Sequence, residues 1–351
     1  MSSSIAQEKQ RYSSPGWKFI KEVSQVTGGT LLAVIMLASA IVAGGLVGLA
    51  ISFRNLPDVR VLRNYIPSET SYFYDINGKV LASIHGEANR EVIPLNKISP
   101  DLKRAVLAIE DSHFYSHHGI NISSVGRASI VNWQRGAVAE GGSTLTMQLV
   151  KNIFLSQQRK FSRKVAEAVL AIRLEQILSK DQILEMYLNQ VYWGHNNYGV
   201  ETAAQSYFGK SAADLNLAEA AMMAGIIQAP QNYSPFVSMK TAKQRQETVL
   251  NRMRNLGWIT AEEEEQAQET KITLGKIRSF QRSTMPFVTN SAARELEREY
   301  GIEAVQKGGL RVQTTVDSRM QQIAEETVAK WHKTIRSQGV RADQMALVSV
   351  D

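Results

Sequence analysis

The sequence predicts a mainly α-helical protein with a small β-hairpin region, preceded by one transmembrane helix. Three observations lead there. No charged residue occurs from Ser24 to Phe53. Aromatic and β-branched residues flank Asn77-Gly78, a strong hairpin signal. After Ser99, apolar residues recur at helical spacing and capping signals repeat. These divide the chain into a cytoplasmic tail (1–23), a transmembrane helix (24–53), a membrane-proximal β-containing segment (54–98), a helical domain (99–275) and a linker running into a further strand (276–351).

In the tail, Lys9, Arg11, Lys18 and Lys21 outnumber Glu8 and Glu22. The apolar run from Leu31 to Ile51 matches the ~20 residues needed to cross a bilayer. Basic residues ahead of it place the N-terminus inside and everything after Arg54 outside. Gly48-Leu49-Ala50 keeps open a cleaved signal peptide, although the apolar core is long for one.

Strands are expected within Ser71–Glu91. Ser99, as N-cap, and Pro100 open a helix over 100–115 whose apolar face carries Leu102, Ala105, Val106 and Ile109. Further helices are expected over 123–135, 143–155, 161–178, 180–193, 199–208, 216–228, 238–256, 260–270 and 288–299. Ser179 with Gln182, Asn216 with Glu219 and Thr260 with Glu263 read as capping boxes. A strand at 309–315 and a helix over 318–335 follow.

The 351 residues are enough for an anchor and one or two domains with proper cores. A net charge of +7 favours acidic partners without choosing among nucleic acid, anionic lipid and phosphorylated substrates. The absence of cysteine excludes disulfides, thiol nucleophiles and thiolate metal sites.

The chemistry concentrates between Glu110 and Glu167. Glu110 and Asp111 form an acid pair at a helix C-terminus, where the macrodipole and mutual repulsion disfavour them unless a partner or a task requires them. In GGSTLTMQLVKN (Gly141 to Asn152), two glycines precede Ser143 as N-cap, so that free N–H groups at a helix start would suit an anion. Thr144, Gln148, Lys151 and Asn152 form a polar stripe, which is either a binding face or a solvated one. It is not a Walker loop, because the glycine-lysine-serine ending is missing. Glu167 is the only charge between Lys164 and Arg173 on a helix apolar nearly all round, with Arg163 one turn earlier. This is either a structural buried pair or an acid placed in a cleft. His113, His117 and His118 invite a metal site because the first two are spaced as helix neighbours, but no clear third ligand completes it. The AAMMAGIIQAP stretch and Tyr187, Tyr192 and Trp193 read as core.

Together these motifs resemble the peptidoglycan glycosyltransferase module, glycosyltransferase family 51, of bifunctional class A penicillin-binding proteins. Five motifs of that family occur in order: Glu110 to Gly119, Gly141 to Asn152, Arg163 to Glu175, Lys180 to Asn189, and Arg245 with Val249, Leu250 and Met253. One departure is Met147, where the family usually carries a glutamine, and no role is carried onto it.

The resemblance implies a lysozyme-like helical domain that polymerises lipid II onto a growing glycan chain outside the cytoplasmic membrane, releasing undecaprenyl pyrophosphate. Catalytic roles would fall to Glu110, as general base, and to Glu167, which orients cations or assists leaving. Lys151 and Arg163 would meet the pyrophosphate, while Asp111, Phe114, Thr144, Gln148 and Asn152 would shape the substrate cleft. No cofactor is required, although a divalent cation at the pyrophosphate stays open, and no protein metal site is expected. Lipid II, membrane lipids and other wall-synthesis proteins are the implied partners, and nucleic acid is not. Residues 276–351 resemble the connection to, and start of, a transpeptidase domain; no Ser-x-x-Lys, Ser-Asp-Asn or Lys-Thr-Gly motif is present. The rivals are a hydrolytic or lytic enzyme on the same glycan and a catalytically silent scaffold.

Overall fold

The computed structural model describes residues 29–30, 32–45, 47–48, 56–86, 88–127, 141–155, 161–276, 283–341 and 343–347. They belong to two units, one of residues 1–58 with 160–166 and one of 59–159 with 167–351. In the first unit, residues 32–45 are helical and their side chains exposed. Among the described residues no helix is long and apolar enough to cross a membrane. The expected span of 24–53 lies partly outside them.

In the second unit, β1 (Ser71–Tyr74) and β2 (Val80–Ile84) form the expected antiparallel hairpin, with Phe73 opposite Ala82. Asp75 holds its turn by accepting from the Asn77 and Lys79 N–H groups. After β3 (Asn89–Arg90) come the helices α1 (Pro100–Glu110), α2 (Leu145–Phe154), α3 (Phe161–Glu175, beginning in the first unit) and α4 (Lys180–Gln190). The short strands β4 (Tyr192–Gly194) and β5 (Asn197–Tyr198) lead to α5 (Val200–Phe208), α6 (Leu217–Ile226), α7 (Pro230–Tyr233), α8 (Met239–Asn255) and α9 (Ala261–Glu269). The chain closes with α10 (Pro286–Tyr300), α11 (Ile302–Lys307), β6 (Arg311–Gln313) and α12 (Ser318–Ser337).

All three capping boxes form, at the starts of α4, α6 and α9. Two helix starts differ from expectation. Ser99 does not cap α1; its hydroxyl donates to the Leu215 carbonyl at 2.8 Å and ties α1 to the chain before α6. Thr144, not Ser143, caps α2, because its hydroxyl is the one that accepts the Met147 N–H. The helix expected over 100–115 stops at Glu110, and only a 3₁₀ turn over Phe114–Ser116 follows. Of the helix expected over 123–135, residues 128–135 lie outside the described residues.

The core of this unit is α6, buried from Ala218 to Ile226 and wholly apolar after its capping residue Glu219, with α1 and α8 packed on it. Leu102, Val106, Met222, Val249, Leu250 and Met253 are nearly or fully inaccessible. Each such side chain contributes roughly 1.5–3 kcal/mol of transfer free energy. The last turn of α1, which carries the acid pair, is therefore fixed by rigid neighbours. A second cluster of Phe73, Ala82, Ala293 and Val305 lies under a three-stranded sheet ordered β2-β1-β6. Parallel β6 pairs Val312 with Phe73, joining the hairpin to the segment expected as a linker.

Candidate active site

Glu110 ends α1 as a partly buried residue, and three other helices supply its surroundings. From α2, the Gln148 side-chain amide donates to Glu110 Oε2 at 2.8 Å. From α4, the buried Tyr187 hydroxyl donates to Gln148 Oε1 at 3.2 Å, which fixes the amide so that its NH₂ faces the carboxylate. Desolvation raises the Glu110 pKa above the ordinary glutamate value, the Gln148 hydrogen bond opposes this, and the charges of Arg245 and Lys151 oppose it further. The result is a carboxylate kept basic, yet met by two cations. That combination suits taking a proton beside an anionic group.

Asp111 leaves the helix in an extended conformation, and its Oδ2 accepts from His117 Nε2 at 2.9 Å and from the Leu145 N–H at 3.0 Å. The Met147 N–H goes to Thr144 Oγ1 at 3.1 Å, and the Thr144 hydroxyl donates to the Gly119 carbonyl at 2.6 Å. The α2 N-terminus is thus not the open anion site expected from the sequence. Two of its first three N–H groups are taken by protein, one of them by the Asp111 carboxylate, because a buried donor must find an acceptor. Gly119 makes this approach possible: at φ +88° a Cβ there would lie 2.7 Å from the Ile172 N.

The Lys180 ammonium lies 2.8 Å from Glu175 and 3.4 Å from Nδ1 of His117, the partner of Asp111, and sits 4.5 Å over the Phe114 ring. Thr146 also donates to Glu175. Two open cavities, of about 580 and 520 Å³, flank the 113–117 turn, and both have His113 and Ser116 in their walls. Among the described residues, no group of three or more His, Asp or Glu is arranged to hold a metal ion.

In the second unit Glu110 is hydrogen-bonded to Gln148 of α2, while Asp111 and Thr144 accept from the Leu145 and Met147 N–H groups at the start of the same helix, and Lys151 acts on Glu110 through its charge. Asp111, Phe114 and Thr144 are buried. Asn152 is exposed on α2. Glu167 is buried, as its apolar helix predicts, about two turns before Glu175 on α3. Arg163 is half-buried in the first unit.

Two contributors had no role assigned from sequence. Tyr187 was read as core, and only its buried hydroxyl on Gln148 distinguishes it. Arg245 approaches because Gly225 leaves room on α6, where a Cβ would come within 2.8 Å of Arg245 Cγ, and its guanidinium sits 5.4 Å over Tyr233. Its place in the fifth motif was the available signal.

The family model described as Transglycosylase matches residues 77–254, just over half of the chain. Penicillin-binding protein 1A of Aquifex aeolicus is 37% identical over 87% of this chain and 42% of its own length. That of Neisseria flavescens is 41% identical over 82% and 36%. The chain thus spans about two fifths of the curated relatives it matches. The crystal structure of penicillin-binding protein 1A from Haemophilus influenzae is 26% identical, covers 76% of this chain and 30% of that one, and superposes with a TM-score of 0.45. With the five motifs now joined by a family match that runs from the hairpin through α8, the chain belongs to the transglycosylase family, glycosyltransferase family 51.

Proposed function

We propose that this chain is a peptidoglycan glycosyltransferase of cell-wall synthesis that polymerises lipid II. The observation that carries this reading is Glu110, desolvated, held by Gln148 and faced by Lys151 and Arg245, in a member of this family. Glu110 removes the proton of the acceptor 4-hydroxyl as its oxygen bonds to the anomeric carbon of the growing chain. The bond from that carbon to the pyrophosphate oxygen breaks on the opposite face, inverting the configuration and releasing undecaprenyl pyrophosphate. Lys151 and Arg163 meet the charge that develops on the leaving group, and buried Glu167 orients the cations or assists departure. Gln148 and Asn152 shape the cleft from α2, and the buried Asp111, Phe114 and Thr144 help to shape it.

The uncharged run of 24–53 anchors the protein once in the cytoplasmic membrane, N-terminus inside, which puts the catalytic domain beside a lipid-linked substrate. Residues 276–351 connect to a transpeptidase domain, in keeping with the greater length of the relatives. Incubating the chain with labelled lipid II tests the reading: polymer that disappears with Glu110→Gln supports it. Fragmentation of finished glycan, with no polymer, overturns it in favour of a hydrolase.

A further inference from the structure

Arg245 acts on Glu110 through its charge, yet little in the protein holds it there. Its buried Nε has no hydrogen-bond partner, and no ion pair fixes its guanidinium, among the described residues. What the guanidinium does meet is a ring: it sits 5.4 Å over Tyr233, within reach of a cation–π contact. Its stem packs closely on α6, where a Cβ on Gly225 would come within 2.8 Å of Arg245 Cγ. The ring is itself a fixed platform. Tyr233 ends α7, where the Asn232 and Tyr233 N–H groups both return to the Ala229 carbonyl at 2.9 Å. The next residue, Ser234, is fully buried; its hydroxyl lies 2.7 Å from His195 Nε2 and accepts the Phe236 N–H at 3.2 Å. Pro230, the first residue of α7, lies against Gly194 of β4, where a Cβ would come within 2.9 Å of it. α7 is thus clamped at both ends, whereas the long arginine side chain has several rotatable bonds to be fixed.

We propose that Tyr233 is a positioning residue for the glycosyl transfer: its ring face fixes the Arg245 guanidinium in the orientation that faces Glu110. This rests on the proposed role of Glu110 as base. If the ring merely filled space between α7 and α8, an apolar side chain of similar size would serve as well; a ring that holds a cation has no such substitute. The groups facing Glu110 are Gln148 and Lys151 from α2, Tyr187 from α4, Arg245 from α8, and the adjoining Asp111. Arg252, also on α8, is committed to the Ala108 carbonyl and Ser112. Glu219, the one charge on α6, is committed to Lys210 and to its own helix cap. Freed from the ring, Arg245 samples other rotamers and its charge at Glu110 weakens. Protonation of the base in the substrate complex then moves to higher pH.

Full-chain protein in detergent is assayed with labelled lipid II across pH, with thermal melts alongside and Glu110→Gln as control. Tyr233→Leu removes the ring and should lose about three- to tenfold in kcat, within what a partly desolvated cation–π contact is worth, with the acid limb displaced upward. Tyr233→Phe keeps the ring face and should leave the limb where the parent has it. In an Arg245→Ala background, where the limb is already displaced, Tyr233→Leu should add less than about twofold. An unmoved limb in folded Tyr233→Leu, a displaced limb in Tyr233→Phe, or full additivity with Arg245→Ala overturns the proposal. If Tyr233→Leu does not fold, progressively fluorinated phenylalanines at 233 keep the ring's shape while weakening its negative face. The limb should then climb with fluorination, and the absence of a trend overturns the proposal. Turnover by Glu110→Gln would instead strike the base assignment, a failure visible without any change at Tyr233.

Discussion

Replacing Gly119 by alanine tests whether the close approach of the 117–119 turn to α3 builds the site. Gly119 has φ +88°, and a Cβ would come 2.7 Å from the Ile172 N and 2.8 Å from the Ala171 carbonyl carbon, both backbone atoms that cannot swing aside. The left-handed conformation alone costs an L-residue about 1–2 kcal/mol. Forcing a methyl into a packed interface adds about 1–3 kcal/mol. The expected loss is therefore about 2–5 kcal/mol, a large share of the roughly 5–15 kcal/mol that holds a domain together. Gly209→Ala is the matched control, since Gly209 has φ +68° at the end of α5 with nothing within 4 Å of a Cβ. It should show the conformational cost alone. Urea unfolding of the detergent-solubilised proteins, followed by tryptophan fluorescence, should give a lower midpoint for Gly119→Ala than for Gly209→Ala at equal slope. Polymerisation should fall with the first, because the Gly119 carbonyl that receives the Thr144 hydroxyl must move. Equal midpoints would refute the steric argument.

Glu110→Gln should cost about 10² to 10⁴-fold in polymerisation, and an undiminished rate would rule out a base at this position. The same variant should melt higher than the parent near neutral pH. Burial raises the Glu110 pKa, so the folded state holds its proton more tightly than the unfolded chain and loses stability as pH rises through that range. Below the ordinary glutamate value the advantage should vanish, and a difference independent of pH would contradict the sign. Lys151→Ala and Arg163→Ala should each reduce polymerisation about 10² to 10³-fold with little change in melting temperature. Arg163→Lys should be impaired as well if a guanidinium fork is needed; near-normal rates in both alanine variants would return the hydrolase to first place. A fluorescent penicillin should not label this chain covalently, since it has no Ser-x-x-Lys nucleophile, and stable labelling would show an acylating residue that the motifs miss.

Local signals were legible wherever the cause lies within a few residues. The three capping boxes form as written, because both partners of each sit three positions apart. The Asn77-Gly78 hairpin forms for the same reason, and the all-apolar AAMMAGI could only be core, as α6 is. The acid pair, the α2 stripe and buried Glu167 were likewise visible as departures from what a bland helix would carry. The helix starts show where such reading stops. Ser99 and Ser143 had the right chemistry for caps, but Leu215 claimed the first hydroxyl and Thr144 took the place of the second.

The sequence by itself determined the helical class, the hairpin, the uncharged N-terminal run and the order of the five motifs from which Glu110 is proposed as the reactive carboxylate, since periodicity, capping and motif order all act along the chain. Only the tertiary structure decided what surrounds that carboxylate. That Asp111 occupies the α2 N-terminus where an external anion was expected, that Tyr187 orients Gln148, and that β6 completes a sheet begun over two hundred residues earlier depend on contacts between distant segments. A polar group's partner inside a protein is whichever complementary group the packing brings to about 3 Å. Nothing in the spacing of residues along the chain fixes that distance.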